Sequence, residues 1–393
     1  MKLIFLARQL SRGGAERQLV TLAAGLAARG HQVKVATFYG GGALESDLVA
    51  AGVPLIVIGK SGRWDVLGFL VRLVRLLRAE RPDLVHGYLP VPNVLATLCR
   101  PLVSGLRPRL KPRLKVVWGV RASNMLTSRY DWLSRLFYAA ERCLAAGADL
   151  IIANSAAGAE HARDQGFPSD RLWVIANGID TDRFSGEAAP RFSGEAAPRT
   201  RVRTAWGFDK DQVVIGLPAR LDPMKDHPTF LAAAALVAAR EPRARFVCVG
   251  DGPADYRADL ADCGHALGLD GRLIWAGPHD DMPAVYSGFD LGCSASAFGE
   301  GFSNALAEMM ACGVPCVATE VGDARRIIGV TGEIVPPGDA EALAAALLRL
   351  LERRALDPAA LAAAARARIL NYFSVAALVE RSEAALLEML SKP

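Results

Sequence analysis

No stretch of this 393-residue chain approaches the roughly 18 unbroken apolar residues of a membrane span, so a helical channel or carrier is excluded. Seven cysteines are present but none forms a CxxC pair. That removes the usual zinc-ribbon and thioredoxin-like patterns, and it leaves Cys312 and Cys316, which flank a strand entrance, as buried thiols suited to a reducing cytoplasm. The opening MKLIFLARQL imitates a secretory leader, yet its apolar run stops at Ala7 and Arg8 closes it, so it reads as a buried strand. GxGxxG is missing after that strand. Gly59-Lys60-Ser61 resembles the end of a P-loop, but Pro54 stands where its first glycine belongs.

The composition, 51% hydrophobic and 22% charged, is that of a folded chain, and the length is enough for two separate cores. Charge is uneven. Residues 60–145 hold 16 lysines and arginines against 5 aspartates and glutamates, which points to an anionic partner. Aromatics are not interleaved with the cations of 99–115 and no nucleic-acid motif is visible, so nucleic acid is not the expected partner.

Apolar, β-branched runs alternate with amphipathic helices. Strands are expected at 2–7, 32–38, 53–58, 83–88, 116–120, 149–153 and 171–176, with helices between them, as at 15–29, 65–80 and 132–146. The pattern restarts at 213–217 and continues near 245–249, 272–275, 290–294, 314–318 and 332–335. Runs such as LIIA and FVCV are apolar on both faces, the mark of parallel sheets covered by helices on each side. Two such series predict two Rossmann-like, doubly wound α/β domains. The expected division is 1–182 together with a C-terminal helix at 374–393, a linker at 183–199, and 200–373. Within the linker RFSGEAAP occurs twice in tandem, at 183–190 and 191–198, an insertion of the kind loops tolerate.

Three segments carry chemistry. Gly13 and Gly14 follow the first strand and open a helix, whose free N–H groups favour a phosphate or a polar sugar. Arg220 and Lys225, in LPARLDPMKDH, follow an apolar strand at its carboxyl end and suit a diphosphate. A solvated loop is an equal reading of their spacing. In SAFGEGFSNALAEMMACGVPCVAT (296–319), Glu300 and Glu308 bracket Gly301, Phe302, Ser303 and Asn304 at a helix start. If helical throughout, the segment separates the two carboxylates by roughly 12 Å, too far for a glycosidase pair, which needs about 5 to 9.5 Å. No metal is expected. Asp180-Thr181-Asp182 and Asp209-Lys210-Asp211 match DxD, but both lie at connectors where aspartate serves turns.

Taken together these segments resemble the family-4 (group 1) retaining glycosyltransferases of the GT-B fold. GGAERQLVTLAAGLAARGHQVKVAT, NGIDTDRF at 177–184, LPARLDPMKDH, VGDGP at 249–253 and the Glu300–Glu308 segment occur in the family's order. The resemblance implies two Rossmann-like domains with an interdomain cleft, the first binding acceptor and the second a nucleotide sugar. By the same resemblance Arg220 and Lys225 take the diphosphate, Glu300 the sugar hydroxyls and Glu308 the ribose. Gly13 and Gly14 lie beside the reacting centre, the amides from Gly301 to Asn304 contact phosphate or sugar, and Gly277-Pro278 lies near the base. One departure stands out: the histidine often found after the strand reading VVWGVRAS is missing, and Arg121, Ser123 and Asn124 follow instead. Arg121 reads as an anion ligand or a structural brace. His86, at the end of another strand, reads equally as a ligand or a structural histidine.

The expected reaction is front-face transfer with retention, without a metal or other cofactor. The expected acceptor is a glycan or lipid-linked precursor, reached by peripheral contact of 64–81 and 99–115 with an anionic membrane at the cytoplasmic face. For 66–77 the competing reading is a stripe packed on the sheet beneath solvated arginines. A sugar-nucleotide epimerase of the same fold and a non-catalytic anion-binding protein are the alternatives.

Overall fold

The structure, a computed structural model, describes residues 1–62, 65–104, 113–121, 132–185 and 198–392. The chain forms two compact units, Met1–Gly178 with Val375–Pro393, and Ile179–Ser374. Most of the RFSGEAAP duplication lies outside the described residues, as do Ser123, Asn124 and much of 99–115.

The first unit runs β1 (Lys2–Ala7), α1 (Gly14–Ala28), β2 (Gln32–Thr37), α2 (Glu45–Ala50), β3 (Leu55–Val57), α3 (Val66–Glu80), β4 (Leu84–Tyr88), α4 (Pro90–Ser104), β5 (Lys115–Val120), α5 (Trp132–Leu144), β6 (Leu150–Ala153), α6 (Ala156–Asp164) and β7 (Leu172–Val174). Its strands are ordered β3-β2-β1-β4-β5-β6-β7, and all their pairings are parallel. Strand alternation divides β1 between two cores: Leu3 and Phe5 belong to one, Ile4 and Leu6 to the other. Hence the runs apolar on both faces.

The second unit runs α7 (Pro198–Ala205), β8 (Val213–Pro218), α8 (His227–Arg240), β9 (Ala244–Val249), α9 (Ala254–Ala266), β10 (Leu273–Gly277), α10 (Met282–Ser287), β11 (Leu291–Ser294), α11 (Asn304–Ala311), β12 (Cys316–Thr319), α12 (Ala324–Ile328), β13 (Glu333–Val335), α13 (Ala340–Leu356) and α14 (Pro358–Tyr372). Its strands are ordered β10-β9-β8-β11-β12-β13, again parallel throughout. Asp290, 4% exposed, ties the amino ends of this unit together. It accepts from the Val214 amide (2.8 Å), lies 2.6 Å from Arg199 and 2.6 Å from Arg354, and also pairs with Arg203.

The last helix, α15 (Val375–Ser391), belongs to the first unit, where Leu378, Val379, Ala385, Leu386 and Met389 join the core beneath α1. Those positions recur at helical spacing. Leu387 falls off that face and is 46% exposed.

In α3 the stripe of Phe69, Leu73, Val74 and Leu77 is buried on the sheet. Leu67 and Val71 are exposed on the opposite side with Arg75 and Arg78. Among the described residues no helix is long and apolar enough to cross a membrane.

The carboxyl ends of β4 and β5 are locked by Asn93 of α4. Its side-chain amide donates to the Gly119 carbonyl (3.3 Å) and to Glu141 Oε1 (2.7 Å), and its oxygen accepts from the Gly119 amide (3.3 Å). A β-carbon at Gly87 would meet Asn93 Oδ1 at 2.6 Å, so only glycine fits there. Burial pushes the Glu141 carboxyl up to about 7, against the opposing effect of the Asn93 bond. A carboxyl whose pKa rises on folding binds more protons folded than unfolded, so the stability it permits falls as pH climbs from 4.5 toward and past 7. Glu141→Gln keeps the Asn93 bond and removes the titration. The variant is expected to match wild type near pH 4.5 and to exceed it by up to about 3 kcal/mol at pH 8, read by urea unfolding across that range. Parallel pH profiles for the two proteins would contradict this.

Candidate active site

In each sheet the strand order reverses once, between β1 and β4 in the first unit and between β8 and β11 in the second. The loops after the two strands at a reversal run to opposite sides and leave a crevice at the carboxyl edge, the usual ligand position of open α/β sheets. In the second unit these two loops are 219–226 and 295–303. They carry Arg220, Lys225 and Glu300.

The two loops are bound to each other. The Ala297 amide donates to the Met224 carbonyl (2.9 Å). Gly299 has φ +78°, and a β-carbon there would meet Met224 Sδ at 2.8 Å. Lys225 pairs with Glu300, and Ser296 donates to the same carboxylate oxygen (2.9 Å). Both partners of the ion pair are largely covered, with side chains 18% and 11% exposed. Arg220, by contrast, stands out of the loop with its side chain 73% exposed, 3.9 Å from Asp222.

The segment after Glu300 is not helical throughout: α11 begins only at Asn304, so a continuous-helix separation between Glu300 and Glu308 does not apply. The Gly301 carbonyl accepts from the Asp323 amide (2.9 Å), which holds the loop down. Ser303 stands at the N-cap of α11 without using its side chain as a cap, so it does not satisfy the first-turn amides. Beside them Lys225, Ser296, Ser303 and Leu306 line a cavity of about 20 Å³, room for one water. The ring of Phe302 turns inward, 5% exposed and edge-on to Phe373 (5.4 Å), so only its backbone remains for a ligand. Half-buried Glu308 accepts from the Tyr286 hydroxyl (2.9 Å). Burial, then the nearby Glu308 charge, holds that phenol well above its ordinary pKa, so it remains a donor.

Gly277 closes β10 with φ +70°, and its carbonyl accepts from the Gly250 amide (3.0 Å). The loop reading VGDGP is therefore beside Gly277-Pro278 at the same edge. It also meets 219–221, through Ala219 N to Val249 O (2.8 Å) and Leu221 N to Asp251 O (3.0 Å). The first DxD aspartate serves its own turn: Asp180 accepts from the amides of Asp182 (3.2 Å) and Arg183 (3.0 Å).

At the reversal of the first sheet, Gly13 caps α1 and Gly14 begins it, one residue earlier than the sequence pattern places the helix. A β-carbon at Gly13 would run into the Glu16 carboxylate, which already covers that end of the helix. Arg121 follows β5 with its guanidinium 4.1 Å above the Tyr88 ring, and its buried Nε has no hydrogen-bond partner among the described residues. His86 is enclosed in the first unit. It is 0% exposed, lies 5.2 Å from Phe5 and 4.9 Å from Tyr88, and has no hydrogen bond at either ring nitrogen. Burial, with the Arg121 charge, holds it well below its ordinary pKa and therefore neutral.

Sequence reasoning missed Ser296, although its place four residues before Glu300 was visible. It missed Tyr286 entirely, because nothing in MPAVYS marks a partner for Glu308.

With this geometry in place, the comparisons with known proteins are specific. Residues 12–183 match the model of "Glycosyltransferase Family 4" and residues 212–353 that of "Glycosyl transferases group 1". EpsD of Bacillus subtilis is 26% identical over 288 residues, covering 72% of this chain and 71% of EpsD. The D-inositol 3-phosphate glycosyltransferase of Salinispora arenicola is 30% identical over 245 residues, 59% of this chain and 53% of that enzyme. The match thus spans about half the length of that relative. The structure of Anabaena HepE with UDP-glucose aligns with TM-score 0.82 and 24% identity over 99% of this chain and 100% of HepE. The chain belongs to the family-4, group 1 glycosyltransferases of the GT-B fold, a class of nucleotide-sugar-dependent transferases.

The two cations of the site differ physically, and that difference is measurable. Lys225→Met strands a largely buried Glu300 and is expected to lower stability by about 2 kcal/mol, whereas exposed Arg220→Ala costs less than about 0.5 kcal/mol. Equal shifts in the urea midpoint would refute the difference in burial.

Proposed function

We propose that this chain transfers a sugar from a nucleotide-diphosphate donor to an acceptor hydroxyl with retention at the anomeric carbon, without a metal. The observation that carries this reading is the Lys225–Glu300 pair at the sheet reversal, beside the N-terminus of α11 that its own serine leaves uncapped. The α11 amides and Lys225 offer positive charge to a diphosphate, and Arg220 stands exposed to grip it from the other side. Glu300, already an acceptor for Ser296, is placed to accept from sugar hydroxyls when Lys225 turns to phosphate. Glu308 and Tyr286 together suit a ribose, one accepting and one donating.

Retention follows from same-face departure and attack. The bond from the anomeric carbon to the diphosphate oxygen breaks, the bond to the acceptor oxygen forms on the same face, and the acceptor proton passes to the leaving phosphate. The protein then acts by preorganised charge and positioning. HepE has been solved with UDP and with UDP-glucose, which favours a UDP-sugar as the first donor to try. A lipid-linked or polysaccharide-precursor acceptor is favoured by the exposed face of α3, where Leu67 and Val71 stand with Arg75 and Arg78. Such a face suits peripheral contact with anionic lipid.

Calorimetry against UDP-, GDP- and ADP-sugars is the test of the donor. One nucleotide should bind, and Arg220→Ala should weaken it roughly tenfold, about 1.4 kcal/mol. Glu300→Gln is expected to lower kcat by roughly 100-fold or more while nucleotide affinity stays within about twofold. Transfer should survive a chelator, and the product should keep the donor's anomeric configuration by NMR. Full activity in Glu300→Gln, or activity lost to chelator and restored by Mg²⁺ or Mn²⁺, would overturn the mechanism.

A further inference from the structure

A pocket of about 400 Å³ opens in the first unit between α5 and α6, at the carboxyl ends of β4 and β5. Its volume falls in the range of small-molecule sites. Leu89, Val120, Ala162 and Phe167 make it mostly apolar. One carboxylate stands in that apolar wall: Glu141, 8% exposed, with one oxygen held by Asn93 at 2.7 Å. The other oxygen has no partner among the described residues. Asn93 is itself 0% exposed and fixed at Gly119, so the carboxyl is held in one orientation. A carboxylate in a mostly apolar wall is poorly solvated, and a ligand donor would improve its bonding.

The rim has the opposite charge. Arg121 and Arg142 border the pocket, and Arg142 is exposed. Neither makes an ion pair with Glu141; its oxygen is held by an amide alone. The pocket therefore combines three features in its lining: apolar side chains, a fixed carboxylate and guanidinium charge. Water satisfies none of the first, and a plain sugar or a plain alkyl chain satisfies only part of the set.

We propose that this pocket binds a hydroxyl-bearing amphiphile with an anionic group: its apolar part lies along Val120 and Phe167, a hydroxyl donates to Glu141, and the anion meets Arg121 and Arg142. Resting on the transferase reading, this ligand is the acceptor.

Octyl glucoside 6-phosphate carries all three features and is the probe, titrated calorimetrically into the full chain without nucleotide. Octyl glucoside and glucose 6-phosphate, each lacking one feature, are expected to bind at least roughly tenfold more weakly. Ala139 lines the pocket and is exposed, so Ala139→Trp fills the space without disturbing a core. It should weaken the probe roughly tenfold or more, and Glu141→Gln roughly fivefold, while nucleotide affinity in both variants is unchanged. No saturable probe binding, or binding indifferent to Ala139→Trp, overturns the site. In transfer assays Ala139→Trp should raise the acceptor KM and leave the donor KM alone. Transfer with an unaltered acceptor KM overturns the acceptor assignment and leaves the donor reading intact. Probe binding that is lost in Ala139→Trp, in a protein that neither transfers nor hydrolyses any nucleotide sugar, keeps the pocket and sinks the transferase reading.

Discussion

A parallel strand cannot be joined to its neighbour by a tight turn, and this constraint shapes the whole molecule. Every connection must cross over through a helix, so all loops leaving strand ends gather at one edge of the sheet. Where the strand order reverses, two of those loops part and a crevice is left. In the second unit the loops after β8 and β11 are the parting pair. Lys225 and Glu300, 75 residues apart in the chain, pair there because topology brings their loops together. The Ala297–Met224 backbone bond and the tight fit at Gly299 then hold the pair in register.

The same constraint explains what could be read from the sequence. Strands buried on both faces need apolar residues at every position, so LIIA and FVCV declared a parallel sheet directly. Loops at the carboxyl edge were identifiable because each follows such a run, which is how Arg220, Lys225 and Glu300 came to notice. Side-chain direction was less legible. His86 and Phe302 sit in segments that reach the edge, yet both turn inward, since two-residue alternation on a strand and the packing of Phe373 decide their facing. Long-range partners left no local trace: Tyr286 meets Glu308 across 22 residues, and Asn93 meets Glu141 across 48. The continuous helix imagined from Glu300 to Glu308 failed because the glycine and serine before Asn304 favour loop conformations over helix.

The two units meet the problem of buried charge in different ways. In the second, Glu300 is paired with the Lys225 cation and accepts from the Ser296 hydroxyl. In the first, Glu141 has only an amide, and burial raises its pKa instead. A carboxyl left in that condition is costly as scaffold, and it makes physical sense mainly where something else completes its bonding.

Asp290 lies at the other edge of the second sheet, at the amino ends of β8 and β11. Burial opposes its ionisation, but Arg199, Arg354 and Arg203 together prevail and keep it below the usual carboxylate range. Three guanidiniums thus depend on a single negative charge. Above the ordinary carboxylate pKa that charge is present and the cluster coheres. As acid drives the pH down through the depressed value, protonation removes the charge that Arg199 and Arg203 of α7 and Arg354 of α13 share, and their tie to the start of β11 weakens. The carboxylate therefore works as a keystone that a proton removes only below the ordinary carboxylate range, whereas Glu141 of the first unit takes up its proton in far milder acid, as the pH falls from about 7 toward 4.5.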